Sequence, residues 1–155
     1  MTNEVARIQD QLRRAFEGDA WHGPSVLQLL ADINAADAAA RPITNAHSIW
    51  ELVLHIAAGD RAVANRLAGG RGEVTEGENF GPITETSGGA WQTAIETLRA
   101  AHRELHDAIG MVDESRLDEP IGEGMSSVYI QLHGVIQHDL YHAGQIAILK
   151  AALRA

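Results

Sequence analysis

Between Ser127 and Leu153 the apolar residues recur at helical spacing, and two histidines interrupt them one turn apart. On a helical wheel at about 100° per residue, Leu132, Val135, Ile146, Leu149 and Leu153 form one stripe. His142 falls inside that stripe and His138 at its edge. Residues four apart share a helix face, so both imidazoles turn toward an interior. An unpaired histidine there is a costly buried polar group. The pair therefore calls for hydrogen-bond partners or for a shared metal ion. The short spacing H-x-x-x-H does not choose between the two.

The same periodicity governs the rest of the chain. Alanine and leucine recur at helical spacing, and few β-branched residues alternate. The stretch from Met1 to Phe16 reads as helical and charged. Its helix is expected from about Asn3, with Val5, Ile8, Leu12 and Phe16 on one side. Gly18 breaks it, a continuation runs from about Pro24 to Ile33, and Arg41-Pro42 closes the region. Ser48-Ile49-Trp50-Glu51 matches a capping box and opens a second helix. Ile49, Val53, Ile56, Val63 and Leu67 keep its stripe until Gly69-Gly70 stops it. Residues 69–89 are rich in glycine, threonine and glutamate and read as one irregular connection, unusually long for a compact domain. Such a connection can cross the length of a bundle and join parallel neighbours. The third helix is expected from about Ala90 to Ile109, through Trp91, Ile95, Leu98 and Leu105. A turn with Pro120, Gly122 and Gly124 follows, and Ser126 or Ser127 caps the fourth helix. The expectation is one all-α domain over 1–155: a four-helix bundle with a long crossover between the second and third helices.

Composition narrows the function classes. A chain of 155 residues can bury a proper core. Its net charge of −9, with no basic stripe, disfavours nucleic acid as a partner. No apolar run approaches the roughly 20 residues of a membrane span, and the N-terminal stretch lacks the apolar centre of an export signal. The simple expectation is a cytoplasmic protein with no membrane partner. With no cysteine, disulfides, thiolate ligands and a cysteine nucleophile are absent.

A metal at His138 and His142 needs at least a third ligand. His55 in the second helix, with His47 just before its cap, and the i,i+4 pair His102 and His106 in the third are candidates. His102 lies on an inward stripe, but its charged neighbours favour a helix flank with solvated or hydrogen-bonded histidines. His55 lies off the main stripe of its helix, where the pattern favours a core histidine. His22 and His133 have no distinctive spacing. Periodicity alone leaves the third ligand open. Trp21, Trp50 and Trp91 favour core or dimer-interface positions over a pocket wall. Gly144 suits a close helix approach, although packing alone explains it.

A mid-helix histidine in Ser48-Ile49-Trp50-Glu51-Leu52-Val53-Leu54-His55-Ile56-Ala57-Ala58 is followed far downstream by His138-Asp139-Leu140-Tyr141-His142-Ala143-Gly144-Gln145-Ile146. Together they resemble the DinB-like superfamily, which includes the YfiT-type metal-dependent hydrolases. The resemblance extends to Trp21-His22-Gly23-Pro24-Ser25 and to Trp91, and covers nearly the whole chain. It implies a four-helix bundle with a long crossover. It also implies a metal held by three histidines, which carry over as His55, His138 and His142. Nickel or zinc and a homodimer are further implications. Some relatives are thiol-dependent transferases that use bacillithiol, mycothiol or glutathione, and mycothiol-dependent maleylpyruvate isomerase shares the fold. Fold and metal site alone do not establish a reaction.

A divalent ion on three neutral imidazoles can lower the pKa of bound water to about 7 or deprotonate a bound thiol. Without cysteine, the thiol would come from a cosubstrate. The resemblance thus implies a metal-dependent enzyme, a hydrolase or a thiol S-transferase, acting on a small molecule. The alternative is a non-catalytic metal- or ligand-binding stress-response protein. Asp139 and Asp60 project on the apolar sides of their helices and are candidates for a carboxylate that orients an imidazole or acts as a base. A salt bridge or helix-flank charge is the competing account of both. Gln145 lies one turn beyond His142, and Tyr141 faces away from both histidines.

Overall fold

The computed structural model describes residues 3–155; Met1 and Thr2, part of the stretch read as helical, lie outside the described residues. The chain is all-helical, with no strand among the described residues, only an isolated bridge between Pro120 and Ser127. Four helices are long: α1 (Glu4–Phe16), α4 (Ile49–Leu67), α6 (Gly88–Gly110) and α7 (Val128–Leu153). Three are short: α2 (Val26–Leu30), α3 (Ala35–Ala39) and α5 (Glu76–Phe80). A 3-10 turn covers Glu114–Arg116.

Side-chain caps set most of these boundaries. Ser48 accepts from the Glu51 amide while the Glu51 carboxylate accepts from the Ser48 amide, which completes the capping box expected at α4. Asn3, Ser87 and Ser127 cap α1, α6 and α7, the last being one of the two serines expected there. Two further boxes stand where the sequence analysis expects none. Ser25 pairs with Gln28, so α2 starts after Ser25 and not at Pro24. Thr75 pairs with Glu78 and starts α5 inside the stretch expected to be irregular. Arg41, whose guanidinium donates to the Ala46 carbonyl and to Glu51, ties the α3–α4 connection to the start of α4.

α4 packs on α6 and α7, and α1 packs on the same two helices. The apolar interior divides into two clusters. One gathers Phe16, Trp50, Leu52, Ile56, Leu98 and Ile146 with α2 and α3 beneath them. The other gathers Ile8, Leu12, Val63, Leu105, Ile109 and Leu132. The division falls at the same level on three helices. α4 passes from one cluster to the other between Ala57 and Val63, α6 between Ala101 and Leu105, and α7 between Ile136 and Ala143. Asp60, His102 and Asp139 occupy those gaps, and all three are buried. A polar layer thus separates two apolar halves.

The tryptophans split. Trp50 and Trp91 are buried and tilted against each other at 5.1 Å, whereas Trp21 is fully exposed. The Trp91 indole N–H donates to the Ile33 carbonyl at 2.9 Å, which ties α6 to the turn between α2 and α3.

Candidate metal centre

His55 on α4 and His138 and His142 on α7 come together, one ligand nitrogen from each lying within 4.8 Å of the other two. His138 Nε2 is 2.9 Å from His55 Nε2. The hydrogen bonds at the far side of each ring fix the chemistry of these nitrogens. The Asn79 carbonyl oxygen, 3.1 Å from His55 Nδ1, can only accept, so Nδ1 carries the proton and Nε2 a lone pair. Gln145 Oε1 takes the same role 2.6 Å from His142 Nδ1. Asp139 Oδ1 lies 3.4 Å from His138 Nδ1, a longer contact of the same sense. In these tautomers the His55 and His138 Nε2 lone pairs face each other at a distance that needs a cation or a proton between them, His142 borders the same space, and an oxygen stands behind each ring. This donor set fits a cation, and oxygens behind the rings are the usual support of histidine ligands.

The residues between α4 and α6 complete the site. Phe80 at the end of α5 lies between two imidazoles, stacked on His47 at 3.7 Å and on His55 at 4.2 Å. With the Asn79 carbonyl, it sets the plane of the His55 ring. The 69–89 stretch thus builds part of the site as well as connecting helices. The capping pattern at Thr75 and the lone aromatic at Phe80 were the signals in the sequence.

Close approach of α4 and α7 rests on Gly59. A Cβ there would lie 2.9 Å from His138 Cε1 and 3.3 Å from Nδ1. Gly144, the glycine expected to permit such an approach, has open space where a Cβ would stand. Gly59→Ala is expected to displace the His138 ring. Zinc affinity, followed by competition with a chromogenic chelator, should fall on the order of ten-fold, the usual size of a disturbed ligand orientation. Unchanged affinity would show that Gly59 does not position His138.

Burial opposes charge on all three rings. The pKa of His138 is pushed down to about 4 by burial first, then by His142 and His55. Burial, followed by the neighbouring His142, also lowers that of His55. His142 is lowered chiefly by burial, against the opposing pull of Gln145. Near pH 7 these rings are neutral ligands. In the metal-free protein His138 then binds more proton in the unfolded chain than in the native one between about pH 4 and 6.5. The stability that neutral His138 contributes is complete above pH 6.5, falls as pH drops toward about 4, and is flat below. Wild-type stability relative to His138→Asn, from urea unfolding, should fall as pH drops across that window, by at most about 3 kcal/mol because solvent reaches part of the ring. A difference constant from pH 7 to 4 would contradict this account.

Asp139 and Asp60 are fully buried, and neither is in a salt bridge to Lys or Arg. Burial raises both pKa values; the neighbouring Asp60 charge raises that of Asp139 further, while His102 pulls Asp60 down. His102, expected on a solvated flank, is instead buried and stacked on Phe16 at 3.7 Å. Its charged neighbours Arg103 and Glu104 point outward, so local composition misled where the inward stripe was right. His106 is only partly covered, with Asp107 at 3.7 Å. Tyr141 is exposed and, against the expectation that it faces away from both histidines, meets the His142 ring edge-on at 5.1 Å.

A pocket of about 380 Å³ opens onto His55 and His138. Its walls are mostly apolar, including Val63, Val74, Ile130 and Val135, with Arg66 and Gln131 at the polar side. Arg66 is held there by Gln131 at 2.9 Å and by the Gly72 carbonyl at 2.9 Å. A larger pocket of about 660 Å³ between α4, α5 and α6 is lined by none of the three histidines.

These features define an all-helical protein with a candidate metal-binding group of three histidines on two helices. Residues 20–146 match the DinB superfamily, and the chain belongs to that superfamily. The match spans the whole site, from before α2 to Ile146. No curated protein and no solved structure matches the chain.

Proposed function

We propose that the protein is a metal-dependent enzyme that activates water or a low-molecular-weight thiol against a small substrate. The carrying observation is the convergence of three histidines, one ligand nitrogen from each within 4.8 Å of the other two, beside a pocket that two of the rings help line. His55, His138 and His142 are the ligands of this reading, with nickel or zinc as the ion. Bound there, the ion supplies Lewis acidity, which makes water or a thiol a nucleophile near neutral pH. The Asn79 carbonyl, Gln145 and Asp139 hold the three Nδ1 protons and so keep Nε2 unprotonated. Asp139 and Asp60 do not line the pocket, which favours a positioning role over that of a base in contact with substrate. The apolar walls suit an organic substrate, and Arg66 suits an anionic end.

The same reading takes the chain as one domain and its four long helices as a bundle. Trp50 meets Trp91 and Asp60 faces His102, so contacts advance together along α4 and α6, as in parallel neighbours. His55 meets His142 and Arg66 meets Gln131, so α4 and α7 run oppositely. A parallel pair needs a long crossover, and residues 69–89 supply it. A cytoplasmic homodimer belongs to the proposal; no helix among the described residues is long and apolar enough to cross a membrane.

The test is a screen of zinc- and nickel-loaded protein for ester hydrolysis and for thiol transfer with bacillithiol, mycothiol and glutathione. Turnover should disappear on chelation and return with metal. Turnover that survives complete metal removal would overturn the mechanism. Full metal content with no turnover over the panel would favour a non-catalytic binding protein.

A further inference from the structure

We propose that Asp60, His102 and Asp139 form a second, fully buried cation site that takes a divalent transition-metal ion. It belongs to the polar layer between the two apolar clusters and does not depend on the three-histidine reading. One ligand atom from each residue lies within 4.8 Å of the other two. The residues come from three different helices, α4, α6 and α7, and none exceeds 3% exposure.

The observation that carries the inference is the missing hydrogen bonds. Both carboxylate oxygens of Asp60, Oδ2 of Asp139 and Nδ1 of His102 are buried and have no hydrogen-bond partner. Buried polar atoms nearly always have one, and four orphans in one place call for a common explanation. Direct pairing does not supply it, because His102 Nδ1 stands 3.8 Å from Asp60 Oδ2, beyond hydrogen-bond reach. Protonating a carboxyl group gives it a proton to donate without bringing an acceptor closer. A shared ion fits the spacing. Ligands about 2.1 Å from one ion stand roughly 3–4 Å apart, according to the angle between them. Charge fits as well. Two carboxylates and one neutral imidazole balance a divalent ion, so the assembled layer would bury no net charge. Carboxylate and imidazole together suit zinc or manganese.

The layer also adjoins the three-histidine cluster. Asp139 Oδ1 faces the His138 ring, while Oδ2 is the orphan. One carboxylate would thus serve both places, orienting a ligand with one oxygen and holding the buried ion with the other.

The experiment counts zinc and, in a parallel series, manganese. Protein is purified without an affinity tag from zinc- or manganese-supplemented cells, so that ions can enter during folding. Elemental analysis should find two ions per chain in wild type with at least one of the metals. The triple variant His55→Ala/His138→Ala/His142→Ala, which leaves the buried layer intact, should keep one. His102→Phe retains an aromatic ring against Phe16 and should reduce the wild-type count by one. A wild-type count no higher than one that falls to zero in the triple variant would overturn the second site and leave the first. That outcome would assign the orphans to a trapped water or a shared proton. A single ion that persists in the triple variant and is lost in His102→Phe would support the buried site and sink the three-histidine reading. A wild-type count unaffected by His102→Phe would also overturn the proposal.

Discussion

Replacing both α7 ligands, His138→Ala/His142→Ala, is expected to lower the metal content by one ion per chain. The two residues supply two of the three histidine nitrogens that lie together, and His55 alone cannot hold a divalent ion against water. Most protein metal sites of this type require three or four protein ligands. The fold should survive. His138 is partly exposed, and both rings are kept neutral against burial, so their removal deletes groups that are at best balanced in the metal-free state. Circular dichroism should therefore show a helical protein while elemental analysis shows the loss. Equal metal content in variant and wild type would mean that this cluster is hydrogen-bonded protein and nothing more.

Trp91→Ala is expected to be the most damaging single substitution to stability, at about 3–5 kcal/mol. The side chain is 2% exposed and packs on Trp50 at the start of α4. Its removal leaves a cavity between α4 and α6 that neighbouring helices can close only in part. It also orphans the Ile33 carbonyl, a further cost of about 1–3 kcal/mol. For a domain of this size each kcal/mol moves the melting temperature by roughly 2–4 °C, so a fall of roughly 6–20 °C should be seen. Trp91→Phe keeps most of the ring and loses the hydrogen bond, and should cost far less than the alanine. A loss below about 1 kcal/mol in urea unfolding of Trp91→Ala would show that this contact does not anchor the α2–α3 segment.

The long helices were legible because each buries one apolar stripe, and a stripe leaves a periodic trace in sequence. The start of α4 was legible from its capping box at Ser48, whereas the boxes at Ser25 and Thr75 open the short helices α2 and α5, which carry no stripe to mark them. α3 is only five residues long, too short to show a period. His138 and His142 were legible as a pair because one helix carries both. His55 was not, since its own stripe pointed elsewhere and only the family resemblance singled it out. Asn79 contributes through a backbone carbonyl, which carries no residue signature at all.

Sequence by itself determined the all-helical class, the i,i+4 histidine face and the absence of any thiol in the chain. Those properties are local, or are simple counts, so no partner helix is needed to read them. Tertiary structure alone decided which glycine admits His138, which loop orients His55 and which charged residues share the buried layer. Asp60, His102 and Asp139 lie on three helices and are far apart along the chain. Each lies on the inward side of its own helix in the sequence pattern, but only packing brings the three together and removes their water. Their meeting depends on the relative register of α4, α6 and α7, which is set by the apolar clusters above and below them. The histidine pair states where an ion can be held; the packing around it states what each ring nitrogen is free to do.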